Sequence, residues 1–429
     1  MIDNRDVVVA LATGAAVVGG PQQTLTSEQI QEFVAAQLAA VDLDGKSVCL
    51  VIPDGTRSSP LPLLLRCVHQ ALAGRVTRLT AVVALGTHVA MSPEALAQHL
   101  GYGEDGIEAT YPGMTVVNHE WWKPETFITL GTISAERVGE LSGGLLSVPA
   151  EVALNRAVVD HDIVLVIGPV FPHEVVGFSG GNKYFFPGIA GQQIIDLTHW
   201  VGALITSAQI IGSLGITPVR ALIDEAASLI PSRRLALCVV AKSGSHDLHA
   251  ASFGAPEPAW AAAALISAET HVRYLAEPVK RVVSLIPEKY EDIWTAAKGF
   301  YKLEPVVADG GEVILYAPHV KEISFVHKEI YDIGYHCRDY FVKQWDRFSG
   351  IHWGVLAHST HLRGAGTYDE VDGERCRVDV TLVTGIPEEK VRGANLGYLA
   401  VEDFDLAAYE ADPDTLVVPN AGETLFRLR

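Results

Sequence analysis

Pro172–Gly191, reading PHEVVGFSGGNKYFFPGIAG, sets His173, the Gly180-Gly181 pair, Lys183 and a second Pro-Gly turn directly after the apolar run Ile163–Ile167. A loop of this kind can bring backbone N–H groups, a cation and a titratable ring against one small ligand, because its glycines accept φ values that chiral residues resist. His199 follows in DLTHW. Two more polar loops carry chemistry-capable residues: Asp54-Gly55-Thr56-Arg57, and Gly86-Thr87-His88. An arginine can grip a carboxylate bidentately, and an imidazole can move a proton near neutral pH.

Each of these residues also has a plain structural reading. His88 could be a hydrogen-bonded histidine after a strand, Asp54 could close an Asx-turn, and SGGNK could be a connector with an exposed lysine. The loop is not a nucleotide-binding P-loop, since the GxxxxGK[ST] spacing is absent. A Schiff-base lysine for pyridoxal phosphate is conceivable, but no partner residues for it stand out. His358 and His361, with Arg363, form a further polar cluster that lacks a carboxylate at metal-binding spacing. His246 and His249 read as surface-loop residues.

The elements that must hold these loops repeat. Ser47–Ile52 is a buried strand, 53–60 its loop and Leu61–Ala73 a helix. Leu79–Leu85, Gly86–His88 and Ser92–Leu100 repeat the unit, and Ile163–Ile167, the loop 168–189 and a helix from Ala190 repeat it again. Three such loops leave the carboxyl edge of one parallel sheet, where open α/β sheets bind ligands. A helix is expected over Thr26–Ala39, and Val7–Gly20 reads as strand and turn.

With 429 residues the chain exceeds one ordinary core. The expected fold is α/β with two domains, each a mostly parallel sheet flanked by helices, and an active site in the cleft between them. Residues 1–276 form the first domain, with 396–429 packing back on it. Residues 277–395 form the second, with strands at Lys280–Ile286, Glu312–Ala317 and Arg377–Val383 and helices at Asp292–Tyr301 and Tyr335–Phe348. Ala255–Leu275 reads as one Ala-rich helix.

A hydrophobic content of 48% with 39 Gly and 22 Pro fits a loop-rich enzyme. The net charge of −19 stays negative even with all 16 histidines protonated, which argues against a nucleic-acid partner. The five cysteines are scattered without a CxxC pair, so neither a disulfide framework nor a cysteine zinc site is expected. No apolar run is long enough to span a bilayer, and MIDNRD lacks the positive start of a signal peptide, so a cytoplasmic protein without a membrane partner is expected. Nothing in the sequence fixes the oligomeric state.

Together, DGTR, GTH, H-E-x-x-G-x-S-G-G-x-K-x-x-x-P-G-I-A-G and a histidine sixteen residues after the lysine resemble the nickel-dependent lactate racemase family. Residues 50 to 200 carry that resemblance, which continues more loosely through AAKGF at Lys298. It implies a racemase or epimerase that inverts the Cα of a 2-hydroxy acid by hydride transfer to a nickel-pincer pyridinium-3,5-dithiocarboxylic acid mononucleotide. Other enzymes synthesise that cofactor. By the same resemblance Lys183 holds the cofactor covalently, and Asp54, Thr56, Ser179, Gly180 and Gly181 line it. His199 coordinates the nickel, His88 and His173 are paired acid/base groups, and Arg57 and Lys298 meet the substrate carboxylate. Trp294 and Thr295 face the substrate. Lactate-using members carry glutamine where this chain has Thr295, which implies a different or larger 2-hydroxy acid. The competing readings are a non-catalytic carrier of the same cofactor, in which His88, His173 and Arg57 would be needed for cofactor retention and not only for turnover, and a metal-independent hydrolase or lyase, which would work without nickel.

Overall fold

The computed structural model describes residues 4–429 and divides them into two compact units. The first comprises the described residues up to Phe171, Phe178–Ile195 and Leu214–Thr270; the second comprises Pro172–Gly177, Asp196–Ser213 and His271–Arg429. The chain therefore crosses between units more than once. His173 and His199 belong to the second unit, and Asp54, Arg57, His88 and Lys183 to the first.

In the first unit a seven-stranded sheet runs in the order Ala16–Gly19, Leu248–Gly254, Arg233–Ala241, Ile163–Pro169, Ser47–Pro53, Arg78–Ala84, Met114–Asn118. The last five of these are mutually parallel, and the first two are antiparallel additions on one edge. Ser47–Pro53 lies between Ile163–Pro169 and Arg78–Ala84, with Val51 opposite both Val166 and Val82. These strands are continuous apolar runs because helices cover both faces. Helix Leu61–Leu72 supplies Leu61, Leu64, Leu65, Val68 and Leu72 to that core, at the three- and four-residue spacing of one helical face. Thr26 and Gln29 close a capping box at the start of helix Ser27–Ala39.

Several expectations change here. Val7–Gly20 is a helix, Arg5–Ala12, followed by strand Ala16–Gly19; a short apolar run does not distinguish the two by its pattern. Leu248–Gly254 is a strand, so His249 sits on the sheet with Nδ1 against the Gln23 carbonyl, whereas His246 remains in the turn before it. Ala255–Leu275 divides into helix Pro256–Thr270 and strand Val272–Leu275.

The second unit holds a five-stranded, all-parallel sheet in the order Gly397–Tyr398, Val378–Thr384, Val307–Ala317, Val279–Leu285, Thr415–Val418. The segment 396–429, expected on the first domain, belongs to this unit. Thr415–Val418 satisfies the open hydrogen-bonding edge of Val279–Leu285, and Leu425–Leu428 pairs with Val272–Leu275. Leu399, Phe404, Leu406 and Tyr409 pack on the core formed by Val283, Ile314 and Val383, with Phe404 stacked on Tyr316 at 4.4 Å. The expected helices Asp292–Tyr301 and Tyr335–Phe348 are each two short turns, Ile293–Ala296 with Lys298–Tyr301 and Arg338–Val342 with Trp345–Phe348. Among the described residues no helix is long and apolar enough to cross a membrane.

Candidate active site

In the first unit three loops leave neighbouring strands. Asp54 follows Ser47–Pro53 and is buried; its Oδ2 lies 2.5 Å from His88 Nδ1. Its Oδ1 accepts from the Thr56 N–H at 3.1 Å and the Thr56 hydroxyl at 2.6 Å. Arg57 Nη1 donates to Thr56 Oγ1 at 3.0 Å, and its guanidinium lies over the Phe171 ring, 5.5 Å from the centroid. Burial alone would raise the Asp54 pKa, but the imidazole of His88, the charge of Arg57 and the Thr56 hydrogen bond together hold it well below the usual carboxylate range. Asp54 is therefore an anion placed to accept a hydrogen bond from His88 Nδ1, an arrangement that directs the Nε2 edge of the ring away from the carboxylate. The backbone of His88 is held as well, since Trp121 Nε1 donates to its carbonyl at 3.0 Å, and the Gly86 N–H donates to the Gly188 carbonyl at 2.8 Å.

The glycine loop is locked from beneath. Gly180 has φ +88° and Gly181 φ +58°. A Cβ on Gly180 would meet Val170 at 2.4 Å, and one on Gly181 would meet Trp260 at 2.8 Å. Buried Arg220 donates to the carbonyls of Phe178 at 2.7 Å and Gly180 at 3.2 Å, with its guanidinium 4.3 Å from the Trp260 ring centroid. Asn182 donates to Asp224 at 2.9 Å and Glu257 at 2.8 Å, and it accepts from Arg234 at 2.8 Å. The Ser179 hydroxyl accepts from the Phe171 N–H at 3.1 Å and donates to the Pro169 carbonyl. Lys183 stands half-buried on the short turn Gly181–Tyr184 that this network fixes.

Asp54 and Thr56, expected to line a cofactor, use the oxygens described above to orient His88 and Arg57. Ser179 likewise closes its own loop.

In the second unit His173 is buried, and its Nδ1 has two neighbours at 3.2 Å, the Glu174 carboxylate and the Val175 N–H. An imidazolium can donate to Glu174, and a neutral ring can accept from Val175, so the ring has a partner in either protonation state. His199 is half-buried on helix Gln192–Ile205.

Trp294 is sandwiched between His327, at 4.1 Å between ring centroids, and His358, at 3.7 Å. His358 is buried on helix Trp353–Arg363, 3.4 Å from the Tyr335 hydroxyl. Burial depresses its pKa well below the usual value, and the cationic forms of His361, His327, Lys298 and His199 push the same way, so His358 is neutral. His361, three residues on, has its pKa lowered by burial to about 4. Its Nδ1 meets Ser207 Oγ at 3.0 Å, and Nε2 has no hydrogen-bond partner among the described residues. Lys298 Nζ donates to the Thr295 carbonyl at 3.3 Å. The Thr295 hydroxyl donates to Asp292 Oδ1 at 2.8 Å, where it serves the cap of a helical turn.

No motif marks His327, and the sequence marks His358 and His361 only as a polar cluster. The HSTHLR stretch forms a helix, and its i, i+3 spacing was the available signal for two rings on one face.

A profile of the lactate racemase N-terminal domain matches residues 21–211. The lactate racemase of Thermoanaerobacterium thermosaccharolyticum is 28% identical over 158 residues, covering 36% of this chain and 32% of that protein. The lactate racemase of Lactiplantibacillus plantarum is 27% identical over 157 residues, covering 36% and 32%. The chain thus spans about a third of the length of the curated relatives it matches. A crystal structure of a protein from Thermotoga maritima superposes with a TM-score of 0.87 at 32% identity, covering 96% of this chain and 100% of that one. The lactate racemase apoprotein of Thermoanaerobacterium thermosaccharolyticum superposes with a TM-score of 0.67 at 18% identity, covering 99% and 93%, and is alike in fold.

Proposed function

Because the chain belongs to the lactate racemase family, we propose that it inverts the Cα configuration of a 2-hydroxy acid by proton-coupled hydride transfer, using a nickel-pincer pyridinium nucleotide. The observation that carries this reading is the Asp54–His88 pair. A carboxylate fixed on Nδ1 gives a general base with a defined free nitrogen, as racemisation through a ketone requires.

The residues present suit the cofactor. Lys183 offers an amine on a turn that packing fixes, and His199 offers one imidazole. His199 would supply one nitrogen ligand to a metal carried by that organic cofactor. Nickel, a borderline metal, accepts sulfur and nitrogen donors together. When bound, the group supplies a hydride acceptor, because the Cα–H beside an ionised carboxylate is too weakly acidic for ordinary deprotonation.

The protein's own residues then manage protons and position. Arg57 and Lys298 hold the substrate carboxylate while the reacting carbon inverts. His88 Nε2 takes the hydroxyl proton from one enantiomer, and His173 takes it from the other. Glu174 stabilises the imidazolium that forms on His173. Thr295, whose hydroxyl is committed to Asp292, offers a methyl group where an amide would bind a small polar substrate. That feature favours a 2-hydroxy acid other than lactate.

The test uses protein produced alongside the cofactor-synthesising enzymes. His88→Ala and His173→Ala should each retain the lysine adduct and about one nickel per chain, while racemisation falls by about 10²–10⁴-fold. Unchanged turnover in either variant overturns the paired-base assignment. Loss of the adduct in both would make these histidines part of a carrier's cradle instead.

A further inference from the structure

The second unit also brings Cys337 together with Glu374 and Cys376, which lie later in the chain. Cys337 precedes the turn Arg338–Val342, and Glu374 and Cys376 lie on strand Gly373–Cys376 of a small hairpin with Gly366–Asp369. Glu374 and Cys376 are two residues apart on a strand and therefore share a face. Their ligand atoms and the Cys337 sulfur all lie within 4.8 Å of one another. No disulfide joins the two thiols.

The carboxylate is aimed before any ligand arrives. Its Oε1 accepts from the Cys337 N–H at 2.6 Å, and its Oε2 accepts from Asn395 Nδ2 at 3.0 Å and meets His336 Nδ1 at 2.9 Å. His336 is itself fixed by stacking on Tyr340, at 3.7 Å and 8° between planes. Gly366 lies opposite Cys376, and a Cβ there would meet the Cys337 Cβ at 2.9 Å, so the missing side chain is what lets the two cysteines approach.

We propose that Cys337, Glu374 and Cys376 form a binding site for one divalent metal ion, with zinc as the best match, separate from the residues assigned to catalysis. Two sulfurs and a carboxylate oxygen are a donor set that zinc accepts, and ligand atoms around a tetrahedral zinc lie roughly 3.3–3.8 Å apart. The observed spacing requires a contraction of no more than about 1.5 Å, which side-chain rotation supplies without moving the hairpin. Binding releases a proton from each thiol to solvent and leaves one coordination position for water. A disulfide would use the two sulfurs but would give the carboxylate, and the three groups that aim it, no role. His336, through its bond to Glu374, is a positioning residue.

The test is a cobalt(II) titration of the reduced full-length chain, followed by displacement with zinc and metal quantification. We expect about one cobalt per chain with thiolate-to-cobalt charge-transfer absorption and tetrahedral d–d bands, all bleached by zinc. Cys337→Ser and Cys376→Ser should lose the charge-transfer bands, and His199→Ala should keep them. His336→Gln should weaken zinc binding by roughly 10–100-fold. Should a cysteine variant fold poorly, Glu374→Gln carries the test, since it removes one ligand charge and should weaken binding while leaving both sulfurs. Absence of thiolate bands in folded, reduced protein overturns the proposal. So does recovery of a Cys337–Cys376 disulfide from protein kept under reductant, or bands that vanish with His199→Ala and persist without the cysteines.

Discussion

In the proposed mechanism Asp54 acts through His88, and its substitution separates orientation from charge. Asp54→Asn keeps the shape but allows the amide to present either face to Nδ1, so the tautomer with Nε2 free is no longer enforced. We expect racemisation by the loaded enzyme to fall by about 10²–10⁴-fold with the lysine adduct intact. The same change has a pH signature. The folded carboxyl titrates below its unfolded value of about 4, so its ionic contribution to stability is complete above that pH and is lost as pH falls through the folded value. The stability difference between wild type and Asp54→Asn, from urea melts, should shrink as pH falls below about 4. A difference that grows over that acid range would contradict the pairing. Sequence motifs alone place Asp54 and His88 on loops after strands, but not against each other. That contact depends on Ser47–Pro53 and Arg78–Ala84 being sheet neighbours. The Trp294 sandwich was less legible still, because His327 and His358 reach it from segments far along the chain.

The glycine loop is an element held by residues distant in sequence. Gly180→Ala forces a Cβ to 2.4 Å from Val170 at a left-handed φ, and we expect it to cost about 2–4 kcal/mol in denaturant unfolding. Beneath it, burial raises the Asp224 carboxyl to about 6, with Arg220 and Asn182 opposing the shift. A raised folded pKa means that the native state binds the proton more tightly than the unfolded chain, so stability from this group declines as pH rises from about 4 to about 6. Asp224→Asn should remove that decline, as measured by melting temperature across the interval. A variant whose melting profile still follows that of wild type would show that Asp224 is not the titrating group. The hydrophobic flanks of SGGNK point to a buried loop. Arg220, Trp260 and Glu257 come from helices after the motif, and their spacing carries no mark of loop support.

At the scale of the whole chain, alternation of strands and helices made two α/β units legible, because a buried parallel strand is an apolar run and its covering helix has a three- and four-residue period. The path between units was not. Pro172–Gly177 and Asp196–Ser213 join the second unit, and the tail completes its sheet through Thr415–Val418 rather than returning to the first. Strand pairing of this kind is decided by which sheet edge remains open, a property of the fold and not of the local pattern. The path also assigns His173 and His199 to the second unit and Lys183 and His88 to the first. The most direct test of the proposed chemistry is the fate of the Cα hydrogen. Cofactor-loaded protein is incubated in ordinary water with one enantiomer of a Cα-deuterated 2-hydroxy acid, and the opposite enantiomer is isolated. Hydride transfer requires that the inverted product keep its deuterium. Inversion with washout of deuterium to solvent would mean proton abstraction, and failure to invert any 2-hydroxy acid despite a full complement of nickel and lysine adduct would contradict the racemase reading.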